Sequence, residues 1–338
     1  MKTTSFSKYL TDFLIRYLPA ERGVSTNTIL SYKDTFILLI TFMKAEKGIN
    51  AEKLDINDIN KNNILAFLDW VQSKRGCSDS TRNARLTALH SFFRYLQYED
   101  PMYLHACGQV LSIPLKKTAF TMVTYLTLDT IKAILDGPDL SQKRGRRDLA
   151  LLSIMYDTGA RVQEIVDLTP AMVRLDSPCT VILRGKGNKS RIVPLMDAQV
   201  RFLRDYMTEN DLLGSGAAQY PLFSNSRKEK LTRAGITHIL SKYVRLAQQK
   251  IEDTIKGTVT PHIIRHSRAM HLLQAGVNLV YIRDILGHVS VKTTEIYARA
   301  DSKKKREALE EAYSELKPNI PSWLKNNNLM GWLKEFGK

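Results

Sequence analysis

Apolar residues recur at mixed steps of three and four along most of this chain, a spacing that gathers them on one side of an α-helix. Ile29, Tyr32, Phe36, Leu39, Ile40 and Met43 form one such stripe, with N-cap candidates at Ser25-Thr26-Asn27 and a stop at Gly48. A second runs from Lys61 to Lys74 through Ile64, Leu65, Phe67, Leu68 and Val71, and Gly76 follows it. A third starts at Ser78-Asp79-Ser80 and carries Leu86, Leu89, Phe92, Phe93 and Leu96, with Arg82, Arg85 and Arg94 assigned to its opposite face. Together with an opening helix near residues 5–18, residues 1–115 predict a four-helix module.

The pattern breaks at Ile113-Pro114-Leu115-Lys116-Lys117, where proline ends a helix and two lysines prefer water, so residues 116–122 predict an exposed basic linker. Beyond it a strand signal appears. Cys179-Thr180-Val181-Ile182-Leu183 and Ser190-Arg191-Ile192-Val193-Pro194 flank a glycine-containing turn at 185–188, which predicts a β-hairpin. Helices are expected at 196–210, 232–250, 261–275, 278–286, 290–298 and 303–316. The fold class is therefore mainly α with a small β-hairpin or sheet, in two domains, the second spanning 123–317. A tail at 318–338 holds Trp323, Leu324, Leu329, Met330, Trp332, Leu333 and Phe336, and such an apolar segment calls for a docking surface on its own domain or on a neighbour.

Charge points the two domains at a partner. The 338 residues carry 50 Lys+Arg against 34 Asp+Glu, a net charge of +16, which favours a polyanion through phosphate neutralisation and counterion release. Residues 1–118 have 16 basic and 11 acidic groups, a net of +5, leaving +11 for the rest, so both halves suit a nucleic acid. A membrane surface competes poorly. The longest apolar run, from Phe36 to Met43, is far short of the roughly 18 residues of a spanning helix. Asp12 and Arg16 interrupt the opening apolar residues, which argues against a secretory signal. Cys77, Cys107 and Cys179 make no CxxC pair and read as reduced thiols, so a cytoplasmic location is expected.

Four strings carry candidate chemistry: Thr158-Gly159-Ala160-Arg161-Val162-Gln163-Glu164, Gly185-Lys186-Gly187-Asn188-Lys189, His262-Ile263-Ile264-Arg265-His266, and Leu286-Gly287-His288 followed nine residues later by Tyr297. Together they supply two guanidiniums, an ammonium, imidazoles and a phenol. A phenol with a pKa of about 10 is a poor nucleophile at neutral pH. It needs nearby positive charge and a proton acceptor, and this set offers both. The glycine-lysine turn lacks the G-x-x-x-x-G-K-[ST] spacing of a P-loop. His262 and His266 stand four apart, yet no H-E-x-x-H glutamate accompanies them, so no metal site and no cofactor are expected.

In this order and spacing the motifs resemble the tyrosine recombinases, the family of phage integrases, Xer-type recombinases and recombinases of mobile elements. The resemblance covers nearly the whole chain. It implies a C-shaped clamp of an N-terminal SAM-like core-binding domain and a mixed α/β catalytic domain. It implies Tyr297 as nucleophile on a DNA phosphodiester, giving a 3′-phosphotyrosyl link and later a Holliday junction. Arg161 and Arg265 would hold the non-bridging oxygens, and Lys186 would protonate the leaving 5′ oxygen, with Lys189 a weaker rival. His262 would bond the phosphate or take the tyrosine proton, and His288 would donate to the transition state. Glu164 would orient Arg161, and His266 is read as structural. Arg82, Arg85, Lys189 and Arg191 are the expected DNA contacts. The family works as a homotetramer on double-stranded DNA, so a monomer is expected when free, and the tail fits a segment that docks in trans on an adjacent protomer, with an intramolecular cover the open alternative. Integration or excision of a mobile element is the expected role, with Xer-type chromosome-dimer resolution or a non-catalytic DNA-binding factor as alternatives. A type IB topoisomerase and a His/Lys nuclease without a covalent intermediate are further rivals.

Overall fold

The computed structural model describes residues 4–118, 124–185, 187, 189–250, 257–288, 290–300, 331 and 333–334, with the backbone alone for 292 and 298–300. The chain divides into two compact units, Met1–Thr121 and Met122–Lys338.

In the first unit α1 (Ser5–Asp12) runs directly into a π-helical stretch, Phe13–Glu21. Helix α2 (Thr26–Lys47) starts where the Ser25 side chain accepts from the Thr28 amide and ends at Gly48, whose φ of 68° is left-handed. Helices α3 (Lys61–Ser73) and α4 (Asp79–Glu99) begin in the same manner at Asn60 and Ser78. The stripes meet in one core rich in aromatic rings: Phe13, Phe36 and Phe92 lie fully buried, with edge-on pairs 5.3 Å and 5.4 Å apart. A fifth helix, α5 (Leu104–Leu111), extends the expected four and adds Cys107 and Val110 to this core. Part of the linker is held rather than free. The Asn83 side chain accepts from the Lys116 amide at 3.0 Å and donates to its carbonyl at 2.8 Å.

In the second unit α6 (Leu128–Leu135) precedes α7 (Lys143–Thr158), whose second half is buried on nearly every face. After the short α8 (Val162–Val166) come β1 (Val173–Arg174), β2 (Thr180–Arg184) and β3 (Ser190–Pro194), an antiparallel sheet in the order β1-β2-β3. The expected hairpin is β2–β3, paired Val181 with Val193 and Leu183 with Arg191. The two-residue β1 is an addition, too short to leave an alternating signature. Helices α9 (Asp197–Glu209), α10 (Arg233–Gln248), α11 (Pro261–Gln274), α12 (Leu279–Leu286) and α13 (Val291–Ala300) complete the unit. The helix expected at 303–316 lies outside the described residues, as does the tail except for 331 and 333–334.

Candidate active site

The C-terminal end of α12 organises the site. A helix leaves its last carbonyls without intrahelical partners and gathers partial negative charge there. Here three consecutive carbonyls each accept from a different arginine. Ile285 takes Nε of Arg191 at 2.7 Å, Leu286 takes Nη2 of Arg265 at 2.5 Å, and Gly287 takes Nη2 of Arg161 at 3.2 Å. Gly287 then turns the chain with a φ of 64°, delivering His288. Its hydrogen faces Arg191 so closely that a Cβ would lie 2.9 Å from that side chain.

Each arginine arrives from a distinct element. Helix α7 stops at Gly159, φ 56°, and Arg161 stands as the N-cap of α8. Arg265 sits one turn into α11, which starts at Thr260-Pro261, and it reaches Gly159 O at 2.7 Å with its other Nη. Arg191 comes from β3. Buried Glu164 joins two of them. It accepts from the Arg161 amide at 2.8 Å and Nη1 at 2.9 Å, and from Arg191 Nη1 and Nη2 at 2.8 Å and 2.7 Å. Burial alone would raise the Glu164 carboxyl, but the hydrogen bonds and charge of Arg191, then Arg161, hold it below the usual range.

Tyr297, on α13, lies buried within the small core of Met270, Leu273, Ile282 and Leu286. Its hydroxyl meets Nδ1 of His266 at 2.8 Å. The His288 ring lies nearly parallel to the phenol, centroids 6.3 Å apart, and its Nδ1 is held by Thr294 Oγ1 at 2.9 Å. His262 packs edge-on against His266 at 4.7 Å and remains exposed. Burial first, and then the neighbouring cations, pull His266 and His288 down to about 4, so both imidazoles are neutral at pH 7. His262 is lowered as well, first by the part of its ring covered at the site and then by Arg265 and Arg161, although its outer side is exposed. Burial, with Arg161 and Arg191, pulls Arg265 down to about 10, and it stays a cation at neutral pH. Burial raises the Tyr297 phenol, against the pull of Arg265 and Arg161, so it rests protonated. In the tautomer with its proton on Nε2, His266 accepts the phenol O–H.

Family models fit both units. Residues 124–304 match the phage integrase family, and residues 10–100 match the phage integrase N-terminal SAM-like domain. The chain belongs to the phage integrase family. Among relatives of this chain, a Sinorhizobium fredii protein named as a putative integrase/recombinase (y4rC) is 36% identical over 308 residues, covering 91% of this chain and 92% of its own. The tyrosine recombinase XerD of Listeria innocua is 31% identical over 290 residues, covering 85% and 93%. In fold, the Tn1549 transposon integrase in complex with transposon right end DNA aligns at a TM-score of 0.64 and 19% identity, covering 88% of this chain and 98% of that one. The XerH recombinase bound to its difH substrate aligns at 0.64 and 23%, covering 88% and 83%. The chain is thus a tyrosine-type DNA strand transferase that acts in site-specific recombination.

Of the residues singled out from the sequence, Arg161, Glu164, Arg265, His288 and Tyr297 converge, with His262 beside them. Lys186 lies outside the described residues. Its neighbours close the hairpin, Gly185 N donating to Lys189 O at 2.8 Å, and a Cβ on Gly185 would lie 3.2 Å from Glu164 Oε1. The four expected DNA contacts divide. Lys189 is exposed. Arg85 is half-buried and donates to Thr35 Oγ1 and Ser31 O. Arg82 is only 4% exposed, because it precedes Leu86 by four residues and shares the core-facing stripe of α4. Arg191 points inward and is committed to Glu164 and Ile285. Two residues of the site went unassigned from sequence: His266 as partner of the phenol, and Arg191 as partner of Glu164. The second had a signal, since Arg191 has the same strand parity as buried Val193. Among the described residues, no group of three or more His, Cys, Asp or Glu is placed to hold a metal ion, and no helix is long and apolar enough to cross a membrane.

Proposed function

We propose that the chain recombines the ends of a mobile element, cutting DNA through Tyr297. The contact of the Tyr297 hydroxyl with a neutral imidazole, beside arginines gathered at the α12 terminus, is the observation that carries this reading. Arg161, with a side chain 38% exposed, and His262 offer donors on the solvent side, where a phosphate can approach. Arg265 and His288 stand behind them. In the reaction the phenol passes its proton to an imidazole, His266 in the resting arrangement or His262 as the site opens, and its oxygen attacks phosphorus in line. The bond to the 5′ oxygen breaks as Lys186 protonates it, leaving a 3′-phosphotyrosyl link and a free 5′ hydroxyl. Preorganised guanidiniums stabilise the charge that develops on the phosphoryl oxygens. A partner strand's 5′ hydroxyl then attacks the link and restores the phenol, so the bond energy is conserved without nucleotide or metal.

Because Tyr297 is 1% exposed, attack requires α13 or its tyrosine to move outward on DNA. Two duplexes need four such sites, which makes a tetramer on DNA the working form, with the basic N-terminal unit as a second contact with the duplex and the tail available to a neighbouring protomer. The cytoplasm is where this work takes place. Similarity to XerD supports chromosome-dimer resolution as the second reading. A supercoiled plasmid carrying two copies of the element's joined ends tests the proposal: two resolved circles are expected. Resolution only at a chromosomal dimer-resolution site would favour the Xer role. Relaxation without exchange would overturn both.

A further inference from the structure

Three of the Arg191 guanidinium's donor positions are committed within the protein. Nη1 and Nη2 span both oxygens of Glu164 at 2.8 Å and 2.7 Å, and Nε caps Ile285 O at 2.7 Å. With its side chain 11% exposed, it has little left to offer a phosphate. The segments it joins are those that carry the chemistry. Glu164 holds both the amide and the guanidinium of Arg161. The Gly287 turn that delivers His288 lies flush against Arg191, leaving no room for a Cβ. Arg191 itself sits on β3 opposite Leu183, two residues past Lys189, which closes the turn with Gly185 beside Glu164. Charge adds a second constraint. Glu164 lies between two cations, and with Arg191 neutralising it Arg161 keeps freedom to engage an incoming anion. Without Arg191 the buried carboxylate would draw on Arg161 alone and compete with the phosphate.

We infer that Arg191 is a positioning residue for strand transfer: it locks Glu164 and the Gly287-His288 turn so that Arg161 and His288 face the scissile phosphate in register, and it makes no DNA contact itself. The inference rests on the active site proposed above. Lysine at this position keeps the charge but cannot bridge two carboxylate oxygens and a carbonyl at once.

The test compares R191K, R191Q and the double variant E164Q/R191Q on a nicked duplex of the element's end, measuring the single-turnover rate of covalent adduct formation at saturating DNA. Duplex affinity is measured across a salt series, and a melting curve accompanies each variant. R191K is expected to lose on the order of 100-fold in rate, the effect of about an ångström of misplacement. Affinity and salt slope should stay those of the wild type. The double variant should be no slower than R191Q, because the competing carboxylate is gone. A merely structural role would instead make the rates of all three variants fall in step with their melting temperatures. A salt slope reduced by about 1 with the rate intact marks a phosphate contact and overturns the inference. A wild-type rate in R191K, or a double variant slower than R191Q, also overturns it. If Tyr297→Phe still forms adduct while R191K does not, the nucleophile assignment fails and the role of Arg191 stands.

Discussion

Replacing Glu164 by glutamine keeps the shape of the side chain and removes the charge between two arginines. Glu164 is 3% exposed and accepts four hydrogen bonds, two from Arg161 and two from Arg191. An amide offers one oxygen and turns an NH2 group toward guanidinium donors, so the arrangement cannot be kept. Neutralising one partner of a buried ion pair costs about 3–5 kcal/mol. The Arg161 side chain, 38% exposed, is partly rescued by water, whereas that of Arg191, 11% exposed, is not. The expected cost is therefore about 3 kcal/mol, the lower end of that range, and most of it arises from stranding Arg191. Urea unfolding followed by circular dichroism and fitted for the two units measures it, with the whole loss in the catalytic unit. The pH dependence has a definite sign. The Glu164 carboxyl is held below its ordinary 4.5, so its stabilisation is complete above that pH and is lost as pH falls through the lower folded value. Wild type and E164Q should converge in acid. A cost below about 1 kcal/mol, the range of an exposed pair, would refute the reasoning. So would a difference that persists unchanged into acid.

His266 and His288 are both pulled from 6.5 to about 4, so the unfolded chain takes up protons first as pH falls through that window. Stability is then complete above pH 6.5 and declines toward pH 4, and His266→Asn and His288→Asn should each flatten that decline in pH-dependent melting curves; equal slopes in wild type and variants would contradict the burial described. Lys189→Ala should weaken duplex binding and reduce the salt slope by about 1. Arg82→Ala should leave that slope unchanged and lower the melting temperature of the N-terminal unit, and the reverse pattern would restore Arg82 as a DNA contact.

Local signals carried much of the architecture. Ser25, Ser78 and Gly48 act as helix boundaries because a hydroxyl satisfies an orphan amide and glycine accepts left-handed backbone, both readable residue by residue. Gly287 is legible for the same reason, and the glycine turn between two β-rich runs marks the hairpin. Short elements such as α5 and β1 escape because they hold too few residues to show a period. Arg82 shows how a charged residue hides on an apolar stripe: its helical position beside Leu86 predicts burial although its chemistry predicts exposure. The convergence of three arginines on Ile285, Leu286 and Gly287 is tertiary, made by residues up to 126 positions apart, and no local pattern encodes it. The same holds for His266, whose partner Tyr297 lies 31 residues away on another helix.

The central claim is that Tyr297 becomes covalently joined to DNA. A nicked duplex of the element's end, which lets the short strand with the free 5′ hydroxyl diffuse away, traps that product. Wild type should give a protein–DNA adduct that survives denaturing electrophoresis and carries the DNA 3′ phosphate on Tyr297, and Tyr297→Phe should bind the duplex equally well and give none. Cleavage or adduct formation that persists in Tyr297→Phe would contradict the account.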